Sequence, residues 1–87
     1  MSSRTIILQV GGIVVTLDDE GGGSIESPQH FSEFDTEEFD DVEEWIAYEG
    51  RIDAIESLVL AHACAGLDVT TPEYIEGLQT ALEACSQ

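Results

Sequence analysis

An α+β fold is predicted for this chain: an N-terminal β-hairpin or three-stranded antiparallel meander packed against two to three C-terminal α-helices. Three observations predict it. β-Branched runs flank a Gly-Gly pair near the N-terminus, and apolar residues recur at spacings of three and four through the second half. Turn and cap residues separate the two regimes. The 87 residues are read as one domain, 1–87, with a small core, because chains of this size bury only about 60–65% of their unfolded surface. A hydrophobic content of 43% is ordinary for a globular chain and too high for wholesale disorder.

The β part spans 5–26. Thr5–Val10 and Ile13–Leu17 flank Gly11-Gly12, a pair suited to the positive φ angles of a tight hairpin. A two-residue loop sets Val10 opposite Ile13, Leu8 opposite Val15 and Ile6 opposite Leu17. These six apolar side chains share one face, and a slip of one residue would scatter them. The other face pairs Gln9 with Val14 and Ile7 with Thr16. Asp18–Gly23 reads as a loop and Ser24–Glu26 as a short third strand that Ser27-Pro28 ends. Residues 28–34 read as irregular.

A first, acidic helix is expected over 35–48. Asp35 is its N-cap, Glu38 completes a capping box, and Phe34 and Phe39 form a hydrophobic staple. Phe39, Val42 and Ile46 make its apolar stripe. Ile52, Ile55 and Val59 form a second stripe, about 130° around the helix from the first. The mismatch predicts a break near Glu49-Gly50 and a second helix over 51–65, with Gly66 as a left-handed cap and Leu67 packing back. Thr71 caps a third helix over 72–85 with Pro72 at its first position. Its buried stripe is Tyr74, Leu78, Ala81, Leu82 and Cys85. The short link makes 51–65 and 72–85 an antiparallel helical hairpin.

Charge is the most unusual property. The chain has 19 Asp or Glu, two Arg (Arg4 and Arg51) and no Lys, for a net charge of −17. Phosphates would repel it, which excludes broad direct contact with nucleic acid or anionic lipid. The longest apolar stretch, Leu58 to Leu67, is too short to span a bilayer, and no signal peptide is evident. Two unpaired cysteines suit a reducing compartment, so a cytoplasmic protein of a bacterial cell is expected. Glu33, Asp35, Glu37, Glu38, Asp40, Asp41, Glu43 and Glu44 put eight carboxylates into twelve residues. On a helix this run spans about 18 Å, or about one charge per 2.3 Å. Duplex DNA carries one per about 1.7 Å. Asp18, Asp19, Glu20 and Glu26 extend the field. Such an array suits a cationic groove built for a nucleic-acid backbone, although a solvated acidic face is the plainer reading. Trp45 and Tyr48 fall between the two stripes and are candidate exposed anchors.

Catalytic and metal signatures fail. From Asp35 the calcium-loop pattern breaks at Phe39, which leaves only weak calcium binding by clustered carboxylates. His62, Cys64, His30 and Cys85 have no zinc spacing. His62 is expected to be partly buried, and Cys64 and Cys85 to be small core residues. Gly21-Gly22-Gly23 lacks a following lysine and sits among acids, so it would repel phosphate. No nucleophile–base constellation is evident, and no enzyme or cofactor is expected.

The phrases Ile6–Leu17 with Gly21–Ile25, and Asp53–Gly66 followed by Thr71–Gly77, resemble small proteins of bacterial genomes and their phages. In size and charge the chain is similar to phage-encoded anti-CRISPR proteins, several of which mimic DNA. That resemblance implies a non-enzymatic inhibitor whose acidic surface blocks the nucleic-acid groove of a basic partner, such as a CRISPR effector subunit. The alternatives are an acidic adaptor or regulator of another basic protein, and a weak calcium-binding carboxylate cluster.

Overall fold

The computed structural model describes residues 4–35 and 39–85, the side chain of Cys85 excepted. Four strands come first: β1 (Thr5–Val10), β2 (Ile13–Asp18), β3 (Gly23–Glu26) and β4 (Phe31–Phe34). Two helices follow, α1 (Val42–Cys64) and α2 (Pro72–Cys85). The strands form one antiparallel meander in the order β1-β2-β3-β4, so the α+β class holds.

The hairpin has the expected register, Val10 with Ile13, Leu8 with Val15 and Ile6 with Leu17. Gly11 and Gly12 turn it at φ 58° and 86°, values that a side chain would strain. Ile13, Val15, Leu17, Ile25 and Phe34 form the buried inner face. Across the core they meet Tyr48, Ile52 and Val59 of α1, Val69, and Ile75, Leu78 and Leu82 of α2. Among the described residues no buried one is polar or charged. The turn itself lies against the helices, since a Cβ on Gly11 would stand 2.8 Å from Val69 Cγ2 and 3.1 Å from Ala63 Cβ.

β3 is a strand as expected, but 28–34 is not irregular. Ser27-Pro28-Gln29-His30 closes a further hairpin, in which the Ser27 and His30 backbones bond each other at 2.8 and 3.4 Å. The Ser27 hydroxyl accepts from His30 N–H at 3.1 Å and donates to Thr70 O at 3.0 Å, tying this turn to the α1–α2 loop. Phe34 is thereby committed to the sheet and cannot staple a helix. The chain must then cross from the sheet layer to the helix layer before α1 begins.

The helix start is correspondingly later. The N-cap is Asp41, whose Oδ1 accepts from Glu44 N–H at 2.8 Å. Glu44 Oε2 reaches back to Asp40 N–H at 3.0 Å, a capping box displaced by one residue. Asp35 lies outside any helix, and Glu38 lies outside the described residues.

No break occurs at Glu49-Gly50; α1 is continuous for 23 residues. Its buried stripe is Trp45, Tyr48, Ile52 and Val59, joined by the half-buried Ile55. Val42 and Ile46 are 55% and 58% exposed. The apparent two-face conflict came from placing Phe39, Val42 and Ile46 on the core side. Phe39 precedes the helix and packs back on it, with ring centroids 5.6 Å from Trp45 and 4.8 Å from Tyr48. Gly50 faces open space. Gly50→Ala is therefore expected to stabilise the protein by about 0.5–1 kcal/mol, through helix propensity alone. Thermal unfolding followed by circular dichroism checks this, and a lowered melting temperature would mean that the helix bends there.

Gly66 at φ 93° ends α1 in a Schellman arrangement, with Gly66 N–H to Ala63 O at 3.1 Å and Leu67 N–H to His62 O at 3.0 Å. Leu67 does not pack back and is 53% exposed. In the loop, hydrogen bonds from the Thr70 hydroxyl and backbone N–H hold the Asp68 carboxyl below its usual range. Thr71 caps α2 as expected: its Oγ1 accepts from Tyr74 N–H at 3.3 Å. Ile75 belongs in the α2 stripe with Leu78 and Leu82, while Tyr74 and Ala81 are half-buried and the Cys85 side chain lies outside the described residues. Cys64 is exposed, not in the core. Among the described residues no helix is long and apolar enough to cross a membrane.

Candidate acidic interface

The strand register decides which acids face outward. On the outer face of the sheet, Ile7, Thr16, Ser24 and Glu33 form one cross-strand row, and Gln9, Val14, Glu26 and Phe31 form another. Phe31 is 56% exposed and Ile7 61%. The outer face therefore presents carboxylates beside an exposed aromatic ring.

At the end of β2 the Asp18–Gly22 loop is built by its own acid. Asp18 Oδ1 accepts from Glu20 N–H at 3.0 Å and Gly22 N–H at 2.9 Å, an Asx-type turn. Asp19 Oδ2 accepts from Arg4 N–H at 3.2 Å, and Glu20 is exposed. A Cβ on Gly22 would stand 2.9 Å from Asp35 Oδ1 and 3.6 Å from Asp18 Oδ2. The loop acids thus meet the start of the acid-rich segment.

Asp35 and Asp41 are six residues apart, which limits their separation to about 20 Å even in an extended chain. Asp40, Asp41, Glu43 and Glu44 are all exposed at the start of α1. The Gly11 turn of the first hairpin lies against Ala63 and Val69, at the C-terminal end of α1. The opposite end of the sheet, with Asp18, Asp19, Glu20, Glu33 and Asp35, therefore lies toward the start of α1, where Asp40, Asp41, Glu43 and Glu44 are exposed, in a molecule of 39 × 21 × 21 Å. Glu37 and Glu38 lie outside the described residues.

Two features of the expected site are corrected. Glu33 is on a strand, Asp35, Asp40 and Asp41 lie outside any helix, and α1 starts only at Val42, so the run is not one helical ladder with DNA-like spacing. Trp45 and Tyr48 are 4% and 1% exposed, because they belong to the core stripe of α1. They hold the acidic segment in place through Phe39 and cannot be surface anchors. Phe31 is the exposed aromatic that sequence reasoning missed. Its signal was the alternation Phe31-Ser-Glu-Phe34, which puts Phe31 and Glu33 on one face once the segment is a strand.

Several acids already have structural roles. Asp18 shapes a turn, and Asp41 and Glu44 cap α1. Glu20, Glu33, Asp40 and Glu43 are exposed, and among the described residues Asp18, Asp41 and Glu44 are the acids of this end that shape its turn and cap. Among the described residues no group of three or more His, Cys, Asp or Glu side chains is placed to hold a metal ion. No family model, curated protein or solved structure matches the chain.

Proposed function

We propose that this protein is a non-enzymatic inhibitor whose acidic end occupies the nucleic-acid groove of a basic protein, as a DNA mimic does. The observation that carries this reading is charge placement. Acids from the β2–β3 loop, β4 and the start of α1 converge on one end, in a chain with no Lys to neutralise them. Held on a sheet and a capped helix, they form a fixed anionic surface. Such a surface steers association with a cationic groove and competes with phosphates there. The mimicry is of charge and position, without the helical charge spacing of a duplex. The partner class we favour is a CRISPR effector complex, whose channel is positively charged to hold nucleic acid.

The test is displacement. Purified guide-loaded CRISPR effectors of several types are incubated with fluorescent target duplex, and this protein is titrated in. Loss of duplex binding by at least one type is expected, while the protein alone retards no duplex at physiological salt. Failure to displace duplex from any of them would exclude the CRISPR reading, and direct retardation of duplex would remove mimicry altogether.

A further inference from the structure

We propose that the open edge of β1 takes up an extended polypeptide segment rich in Arg or Lys as a fifth strand. The sheet has two edges, β1 and β4, and they differ. β4 is four residues long, includes Glu33 and is gripped by α2: Gln79 Nε2 donates to Glu33 O at 3.1 Å, and the Ser32 hydroxyl donates to Gln79 Oε1. β1 is six residues long, with no charge, proline or bulge. Among the described residues it pairs with β2 alone. An edge without such protection is a template for another strand.

The hairpin decides which groups the edge presents. Across a two-residue turn Val10 and Ile13 exchange both backbone bonds, and so do Leu8 with Val15 and Ile6 with Leu17. Thr5, Ile7 and Gln9 therefore turn their N–H and C=O groups toward the open edge. On the inner face Ile6, Leu8 and Val10 are only half-buried, which leaves an apolar ledge along it.

Charge selects the occupant. α1 packs under β1 and α2 under β4, so the flank of α1 turned away from α2 lies below the β1 edge. Glu49, Asp53 and Glu56 form that flank at spacings of four and three, roughly 150° around the helix from Ile55, Leu58 and His62, which face α2. β1 spans about 17 Å, and the stretch of α1 from Glu49 to Leu60 about as much, so the acids run beside the strand. An incoming strand points alternate side chains over the ledge and this flank. Arg or Lys there lays its methylene stem on Ile6, Leu8 and Val10 and sets its charged head beside the acids. Apolar residues between them meet Ile7 on the outer face. A second copy fits worse, because twofold pairing of β1 with β1 would set two such acidic flanks side by side. The proposal does not depend on the function assigned to the acidic end.

The probe is the fluorescein-labelled peptide Val-Arg-Val-Arg-Val-Arg-Val, titrated with the full chain at about 0.05 M and 0.5 M salt. Micromolar binding that weakens about tenfold or more at the higher salt is expected, with new hydrogen-exchange protection at the Thr5, Ile7 and Gln9 amides. Glu49→Gln, Asp53→Asn and Glu56→Gln together, checked for fold by circular dichroism, should weaken binding about tenfold or more. Glu20→Gln, Glu33→Gln, Asp40→Asn and Glu43→Gln together should weaken it about threefold at most, because charges away from the edge are screened. A peptide N-methylated at alternate amides cannot pair and should not bind. Binding that leaves the three amides unprotected, survives N-methylation or ignores the change at Glu49, Asp53 and Glu56 overturns the proposal, as does no binding up to millimolar peptide. So does protection of the same amides on concentrating the chain alone, which would assign the edge to a second copy.

Discussion

Val15→Asp is expected to abolish the fold. Val15 is 4% exposed on the interior strand β2, between Leu8 of β1 and Ile25 of β3. An aspartate there would bury a charge in a core that holds no charged residue among the described residues. A domain of this size has a total stability of about 4–13 kcal/mol, and an unpaired buried charge costs several of these. Loss of cooperative unfolding and of near-ultraviolet dichroism is the expected readout. Ile7→Asp is the matched control. Ile7 is 61% exposed on the outer face, so its effect is expected within about 1 kcal/mol. Were β2 slipped by one residue, Val15 would face outward and Val15→Asp would be tolerated as the control is.

The second large effect is expected on inhibition. Glu20, Glu33, Asp40 and Glu43 changed together to their amides lower the net charge from −17 to −13 and spare the caps Asp41 and Glu44. The fold should survive, because four mutually repelling charges leave the surface. The concentration needed to displace duplex from a susceptible effector should rise tenfold or more, by about 1.4 kcal/mol or more. Its salt dependence should flatten as well, since steering falls with each lost charge. Asp53, Glu56, Glu73 and Glu76 changed to amides give the same net charge with the acidic end intact. This control should inhibit nearly as well as the wild type. Equal loss in both variants would mean that overall charge, and not its placement, carries the activity.

The hairpin was legible because two constraints agreed: Gly-Gly demands a tight turn, and the resulting register sorts six apolar residues to one face. The α2 start was legible for the same reason, with Thr71 and Pro72 signalling one boundary together. The acidic middle misled because its cap signal occurs twice. Asp35-Thr-Glu-Glu and Asp41-Val-Glu-Glu are locally equivalent. Only the commitment of Phe34 to the sheet decides between them, and that commitment is tertiary. β4 escaped notice because its inward residues are Ser32 and Phe34. Ser32 is satisfied by Gln79 of α2, a contact invisible to periodicity. Once Phe39 was counted in the helix, its stripe pulled Val42 and Ile46 inward and pushed Trp45 and Tyr48 out. The acids of the candidate interface were legible one by one. Their convergence was not, because the approach of Asp35 to Gly22 and Asp18 joins segments brought together only by folding.

Competition with duplex tests the central claim most directly. The concentration of this protein that halves effector activity is measured at increasing target-duplex concentration. A protein that occupies the nucleic-acid groove must be outcompeted, so that concentration is predicted to rise in proportion to duplex. A value independent of duplex concentration would place the acidic end elsewhere on its partner, and would contradict DNA mimicry in favour of an adaptor that binds a basic surface outside the groove.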